Sequence, residues 1–225
     1  MVASDLFTND DRAAIAKAVA EAERKTGGEI VPVVATSSDR YERAEDTFGL
    51  WLALIAVSVV WLALQGVRPA EGDWEEGWEL AINLLPLLGI VAGGWIVGIR
   101  LAARFPSLKR LAASRGSMRA RVEERAGQAF LRFRAGRTRE GTGIVLYVSL
   151  FERMICVRAD RGLSAKIDPA EWKSICEGMM GALREGKRRE AFLGAIAKCG
   201  ELLAMHAPIR PDDKNELSNE LRILE

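Results

Sequence analysis

The chain has 225 residues, 49% of them apolar, and its 32 Lys and Arg residues nearly balance its 31 Asp and Glu residues, so the net charge is +1. This balance excludes a nucleic-acid binder that relies on bulk positive charge, and the absence of low-complexity sequence excludes a largely disordered chain. The average hydropathy resembles that of a soluble protein, but the apolar residues are concentrated in two uncharged stretches, residues 48–67 and 80–99.

Residues 1–47 predict one helix followed by one strand. Thr8 and Asp11 have the spacing of a capping box, and apolar residues at helical spacing predict a helix over residues 10–25. Residues 29–35 are an apolar, β-branched run of strand length. Because Pro32 cannot donate a ladder hydrogen bond, we expect this strand to be an edge strand or to contain a bulge.

The two uncharged stretches are each 20 residues long. A helix of that length spans roughly 30 Å, the thickness of the hydrocarbon core of a bilayer. Residues 48–67 and 80–99 are therefore predicted to be transmembrane helices joined by the loop 68–79. The alternative is a pair of buried core helices, but such helices seldom run this far without a charge.

The charges around these stretches predict how they cross the membrane. The loop 68–79 holds one Arg and five acidic residues, whereas residues 100–121 hold seven basic residues and no acidic one. Lys and Arg in short segments are retained on the cytoplasmic side, so both termini should be cytoplasmic and the acidic loop external. The basic segment is either only this topological signal or also a binding surface for anionic lipid. Trp51, Trp74 and Trp78 are placed for interfacial belts.

Four glycines of the second stretch form two overlapping small-residue pairs: Gly89, Gly93, Gly94 and Gly98. This spacing lets another helix approach closely. The partner is either the first stretch of the same chain or a second copy, and the pattern alone does not distinguish packing from oligomerisation.

Residues 100–207 predict further helices and two more strands. Ser117 is expected to cap a helix that ends near Gly136, and residues 143–150 and 154–159 read as two strands joined by a tight turn. The first is apolar on both faces and should be central, and the second should lie closer to an edge.

Two helices are expected to close the chain before its tail. Asp168 and Pro169 form a strong helix start, a last helix covers about residues 188–206, and residues 208–225 form a polar tail. Residues 1–47 are too short to fold alone, so they and residues 100–207 are predicted to form one cytoplasmic α/β domain interrupted by a transmembrane hairpin.

The motifs around the strands carry a family resemblance. The segments Thr-Gly-Gly-Glu-Ile-Val-Pro-Val (26–33) and Gly-Thr-Gly-Ile-Val-Leu-Tyr-Val-Ser-Leu-Phe-Glu-Arg (141–153), followed by 157–163 and by Trp172, resemble the TPM domain. Over about residues 8–207 the chain is most similar to the bacterial integral-membrane branch, in which two spans split the domain. The chain lacks the glycine-rich stretch that follows the domain in another bacterial branch.

The resemblance implies a fold, a location and two candidate activities. The fold is an α/β/α sandwich with a small sheet of roughly three to four strands, and the location is the inner (plasma) membrane of a bacterial cell. Plant thylakoid relatives are associated with acid phosphatase activity and photosystem repair, and some TPM domains bind a divalent cation such as calcium.

Few residues in the sequence suit such chemistry. A metal-assisted phosphatase needs converging carboxylates, for which Glu29, Asp39 and Asp160 are the candidates, and Arg158 and Arg161 could face an anion. The alternative is that Glu29 is a surface charge at a strand end and Asp160 a turn residue. No catalytic residue is identified.

The remaining reactive side chains do not change this assessment. Cys156, Cys176 and Cys199 are expected to be free, buried and unreactive, and His206 lies at a helix end. The favoured hypothesis is an accessory or protein-interaction module that is anchored in the bilayer and binds another membrane protein. The alternative is a metal-assisted acid phosphatase that acts on phosphomonoesters or phosphoproteins.

Overall fold

The computed structural model describes residues 2–64, 84–138, 141–210 and 215–225. The acidic loop 68–79, with Trp74 and Trp78, lies outside these residues. The helices are α1 (Ala3–Leu6), α2 (Asn9–Glu23), α3 (Glu42–Leu64), α4 (Leu84–Arg104), α5 (Pro106–Ala112), α6 (Arg115–Arg132), α7 (Arg161–Ser164), α8 (Pro169–Arg184) and α9 (Arg188–His206). The strands are β1 (Glu29–Ala35), β2 (Gly143–Ser149), β3 (Met154–Ala159) and β4 (Arg222–Leu224), and a short 3₁₀ helix covers Ala135–Arg137.

The chain divides into two compact units. The first, here called the sheet unit, consists of Met1–Asp39 and Gly116–Glu225 and contains all four strands. The second, the hairpin unit, is Arg40–Arg115 and contains α3, α4 and α5.

The sheet unit is built on a mixed sheet in the order β3-β2-β1-β4. β1 runs parallel to β2 and to β4, while β3 runs antiparallel to β2. The α/β fold class with a small sheet is thereby confirmed, and β2 is central and β3 an edge strand, as the hydropathy pattern predicts.

The position of β1 differs from the prediction, because β1 is an interior strand and not an edge strand. The Ile30 N–H donates to the Glu23 side chain and the Thr36 N–H donates to Leu224 O, so even-numbered residues of β1 direct their backbone groups away from β2. Pro32 has the same parity, and β4 begins to pair only at Val33. The missing N–H therefore falls where β1 has no ladder partner, and the proline is accommodated without a bulge.

Apolar side chains cover both faces of the sheet. Ile30, Val34 and the even-numbered residues of β2 pack with α2, α8 and α9, in the core that contains Phe192 and Leu203. Val31, Val33 and Tyr147 pack on the opposite face against Val122 and other small residues of α6. The sheet unit is therefore an α/β/α sandwich.

The C-terminal segment, predicted as a polar tail, contributes a strand to this sheet. Arg222, Ile223 and Leu224 pair with Val33, Val34 and Ala35. Three residues are too few to give a recognisable strand pattern, so only the contact with β1 defines β4.

The ends of three helices test the predicted caps. The Thr8–Asp11 capping box is present, and the Asp168 carboxylate accepts from the Ala170 N–H at 2.8 Å. Ser117 is not a cap, because α6 already begins at Arg115 and Ser117 lies within its first turn. Arg115 and Gly116 are already helical, so α6 begins two residues before the predicted cap.

In the hairpin unit, α3 and α4 are antiparallel and pack closely through small residues. A Cβ added at Gly98 would lie 2.6 Å from Gly49 Cα, and one added at Gly94 would lie 2.9 Å from Ala53 Cα. Two segments are long and apolar enough to cross a membrane: Glu42–Ala63 and Leu84–Arg104. Only 11% of the 18-residue apolar stretch in the first segment and 6% of that in the second are buried.

Candidate functional site

Two of the three predicted carboxylates lie at opposite ends of β1. Glu29 begins the strand and Asp39 lies four residues beyond its last residue, so the whole length of β1, about 20 Å, lies between them. Glu29 is buried and accepts from the backbone N–H groups of Glu216 and Leu217 at 2.9 and 3.2 Å, so it is not a surface charge at the strand end. Asp39 pairs with Arg121, with 3.0 Å between Oδ2 and Nε.

Asp160 lies at the same end of the sheet as Glu29, with β2 between them. The Asp160 N–H donates to Gly143 O, and Gly143 pairs with Glu29 in the β1–β2 ladder. The Asp160 carboxylate caps α7 by accepting from the Gly162 N–H at 3.3 Å. Asp160 is therefore a helix cap as well as a candidate ligand.

Glu29, Asp39 and Asp160 do not fit one shared cation site, because Asp39 is at the other end of the sheet. In the described ranges no three His, Cys, Asp or Glu side chains are grouped so that they could hold a metal ion. Calcium ligation by any one of these carboxylates stays a prediction, and no reaction step is derived through a metal.

Arg158 and Arg161 line one open cleft with a volume of about 840 Å³. Two further arginines that the sequence did not single out, Arg134 and Arg137, line its other wall, and we call this site the arginine cleft. Its apolar lining includes Phe130 and Leu131 from the end of α6. The Arg158 guanidinium reaches towards α6, since a Cβ added at Gly127 would lie 3.5 Å from its Nη2.

Arg134 occupies the left-handed region with φ 60° and ψ 21°. This conformation costs a non-glycine residue roughly 1 kcal/mol or more. Its carbonyl accepts from the Arg137 N–H at 2.8 Å, which is the hydrogen bond of the single 3₁₀ turn that follows α6. Sequence reasoning missed both arginines because their position depends on this turn and not on a helical or strand period.

A buried polar network lies at the carboxyl ends of β1 and β2. Ser38 donates its N–H to Glu152 Oε1 at 2.8 Å, and its hydroxyl shares a 3.1 Å hydrogen bond with the Tyr147 hydroxyl. The Ser149 hydroxyl donates to Glu152 Oε2, and Arg125 Nε donates to the Ser38 carbonyl. All four side chains of this network are buried: Ser38, Tyr147, Ser149 and Glu152. We therefore interpret the network as structural, because it fixes the backbone of the turn after β1.

A second buried polar pair, Glu23 and Glu29, holds the C-terminal segment. Glu23 accepts from the Ile30 N–H at 2.9 Å and from Asn215 Nδ2 at 3.4 Å. Burial raises the pKa of Glu23 to about 8, and the neighbouring Glu29 adds to this rise. Near neutral pH Glu23 is therefore predominantly protonated.

The three cysteines are free, and burial raises the pKa of each thiol. The pKa of Cys156 rises to about 11 and that of the fully buried Cys199 rises further. Because the thiolate is the reactive form, these residues are poorly suited to nucleophilic chemistry.

Comparisons with known proteins agree with this architecture. Residues 112–202 match the family model of the TPM domain, a range that includes α6, β2, β3 and the whole arginine cleft. The NMR structure of BA42 protein from the psychrophilic bacterium Bizionia argentinensis sp. nov. is similar, with a TM-score of 0.56 and 16% sequence identity over 96% of this chain and 94% of that chain. No curated protein matches the chain. The family match supports the TPM resemblance over its range, and the structural match concerns the fold alone.

Proposed function

We propose that this protein is a membrane-anchored TPM-domain module, in which the hairpin unit lies in the bilayer and the sheet unit binds another membrane protein. The observation that carries the proposal is the exposure of apolar side chains along α3 and α4. Leu54, Ile55 and Val59 on α3 and Leu88 and Ile96 on α4 are each more than half exposed.

The cost of exposing these side chains to water favours a membrane anchor over a pair of core helices. Burying one such side chain contributes about 1.5–3 kcal/mol, so many of them left in water would forgo a large stabilisation. A core helix would be covered by its own protein, whereas a bilayer removes this surface from water without further protein contacts.

The charge distribution supports a cytoplasmic sheet unit on the inner membrane of a bacterium. Residues 100–121 hold seven basic residues and no acidic one, and Lys109 on α5 also pairs with Glu45 of α3 at 2.7 Å. Arg100, Arg104 and Arg110 lie around the same end of α4 and would meet the cytoplasmic headgroups.

A binding role is favoured over phosphatase activity because the candidate carboxylates do not converge. The partner is proposed to be another membrane protein, since an anchored domain is confined to the membrane surface.

Gly89 and Gly93 face open space on α4, where a Cβ would meet no atom within 4 Å. Oligomerisation or partner contact through this pair stays a prediction.

The anchor is tested by washing membranes that contain the full chain with alkaline carbonate. We expect the protein to stay in the membrane pellet, and a fluorescent protein fused after Glu225 to fold and fluoresce in the cytoplasm. Replacing Leu54 and Leu88 by Lys should release the chain, because each central Lys costs about 2.5–3.5 kcal/mol in a span. Release of the wild-type chain, or a fusion detected only outside the membrane, would contradict the proposal.

The binding role is tested by co-purification from membranes and by an assay for hydrolysis of a generic phosphomonoester with divalent ions. We expect a membrane protein to co-purify and no hydrolysis to occur. Hydrolysis that Asp160→Asn abolishes without unfolding the protein would favour the phosphatase instead.

A further inference from the structure

We propose that the arginine cleft binds a small organic diphosphate, with its phosphate groups on the arginines and its organic part on the apolar residues that line the cleft. This inference goes beyond the proposed function and does not depend on membrane anchoring, because the whole cleft lies within the sheet unit.

The charges of the cleft call for an anionic ligand. Four guanidinium groups share it with one carboxylate, that of Asp160, which caps α7. Among the residues that the structure describes, the ion pairs of the sheet unit involve other side chains than these four arginines. Like charges repel each other where counter-charges are few, so an anion bound among these arginines would be stabilised. Arginine binds phosphate through two parallel hydrogen bonds.

The arrangement of the arginines indicates two phosphate groups. Arg134 and Arg137 come from the turn after α6, whereas Arg158 and Arg161 come from the end of β3 and the start of α7. We therefore assign one phosphate group to the arginines of the turn and the other to the arginines of β3 and α7. The volume of about 840 Å³ is within the usual range for small-molecule sites.

The apolar lining of the cleft indicates that the ligand is more than an inorganic anion. Leu131 is 76% exposed, and it lines the cleft together with the partly buried Phe130 and Val157. Covering Leu131 with an aromatic or aliphatic group would remove apolar surface from water. An organic diphosphate suits both the arginines and the apolar lining of the cleft, and its source is either a soluble nucleotide or a lipid headgroup.

The backbone of Arg134 is a second indication that this side chain has a binding role. A glycine or asparagine would occupy its left-handed position with less strain. Strained residues are concentrated at ligand sites, where the side chain contributes something that the relaxed residue lacks.

The test uses the full chain in detergent micelles, with EDTA present so that no metal-dependent hydrolysis occurs. Binding of ADP, inorganic pyrophosphate and a water-soluble short-chain phosphatidylinositol 4-phosphate is measured by calorimetry. We expect saturable binding that weakens with salt, and about tenfold or greater weakening in Arg134→Gln/Arg158→Gln. The control Arg119→Gln/Arg189→Gln removes the same charge from exposed arginines outside the cleft and should bind as the wild type does.

A second variant, Arg134→Gly, keeps the result interpretable if the double variant unfolds. It should raise the thermal unfolding midpoint by relieving the left-handed strain and still weaken binding. A gain in stability with unchanged affinity would count against a binding role for Arg134 and would overturn the two-wall arrangement.

ADP and the phospholipid separate the two sources of the ligand. Cleft-dependent binding of ADP identifies a soluble diphosphate, and cleft-dependent binding of the phospholipid alone identifies a lipid headgroup; both support the proposal. Equal weakening in the control variant, or no saturable binding of any probe at millimolar concentration, overturns it.

Discussion

Glu23 links the pH dependence of stability to the attachment of the C-terminal segment. It stays protonated up to about pH 8 in the folded protein, whereas a glutamate in the unfolded chain titrates near 4.5. Between these values the folded state binds more protons than the unfolded state. The free energy of unfolding therefore falls as the pH rises through this window, by up to about 1.4 kcal/mol per pH unit.

We predict that Glu23→Gln makes the protein more stable at pH 7 to 8, by a few kcal/mol, and flattens the pH dependence between 4.5 and 8. Glutamine cannot ionise, but its carbonyl can still accept from the Ile30 N–H and its amide can donate to Glu29. Chemical denaturation at several pH values measures both effects.

The matched control is Glu21→Gln, which removes an exposed carboxylate from the same helix. It should leave the pH profile unchanged. A Glu23→Gln variant that is less stable than the wild type at every pH would show that the buried charge is favourable.

At the residue scale, two of the three predicted helix caps are confirmed, because the interactions that form them are local. The Thr8 and Asp168 caps depend on neighbours two or three positions away, which the sequence displays directly. The network around Glu152 and the arginine cleft join residues from distant segments, so the sequence offered at most Arg158 and Arg161 as isolated candidates.

The four glycines of α4 fall into two pairs with different surroundings. Gly94 and Gly98 are in close contact with α3, whereas Gly89 and Gly93 face open space. We predict that Gly94→Ala and Gly98→Ala loosen the hairpin, at a cost of about 1–3 kcal/mol each, because the new methyl group would clash with backbone atoms. Thermal unfolding in detergent measures the effect.

Gly89→Ala and Gly93→Ala serve as the matched controls, since they add the same methyl group on the open side of the helix. They should leave the unfolding midpoint unchanged. A loss of stability in the controls that depends on protein concentration would instead indicate that the open pair contacts a second chain.

At the element scale, a helix or strand was predicted correctly when its own residues show an apolar periodicity. The apolar periodicity of α2, α6, α8 and α9 predicted them well. β4 has no such pattern and forms because β1 offers unpaired backbone groups beside it. Pro32 correctly indicated a missing hydrogen bond, but the shortness of β4, which the sequence does not reveal, lets an interior strand tolerate it.

For the whole molecule, the sheet unit is assembled from both ends of the chain. Asp39 and Arg121 pair across the two segments, and Arg121 lies only five residues into the second one, about 7.5 Å of helix rise from Gly116. We predict that a flexible Gly/Ser linker of about ten residues can replace residues 40–115. The product should be monomeric and fold cooperatively without detergent, as circular dichroism and gel filtration would measure.

The control is residues 116–225 alone, which lack β1 and α2. Without β1 the sheet would lose the strand between β2 and β4, so this fragment should not fold. If it folds as well as the linked version, the N-terminal segment is dispensable and the sheet unit is not the folding unit.

The overall organisation could be predicted from two features of the sequence. One is the pair of uncharged stretches of bilayer length, and the other is the single strand of the N-terminal segment, which needs partner strands from elsewhere in the chain. The α/β class followed from these signals and is confirmed. The parallel register of β1 with β2 and β4 was beyond sequence reasoning, because it depends on pairing between segments far apart in the chain.

The joining of the two chain ends in one sheet also constrains the order of events during synthesis. Glu23 meets Asn215, which lies 192 residues later in the chain. At about 5–20 residues per second, a ribosome takes roughly 10 to 40 s to make the intervening polypeptide. Both apolar helices are made during that interval, before either strand that pairs with β1 has been synthesised. β1 therefore stays unpaired until residues 143–149 are made, and the sheet is completed only at the end of translation, when β4 becomes available.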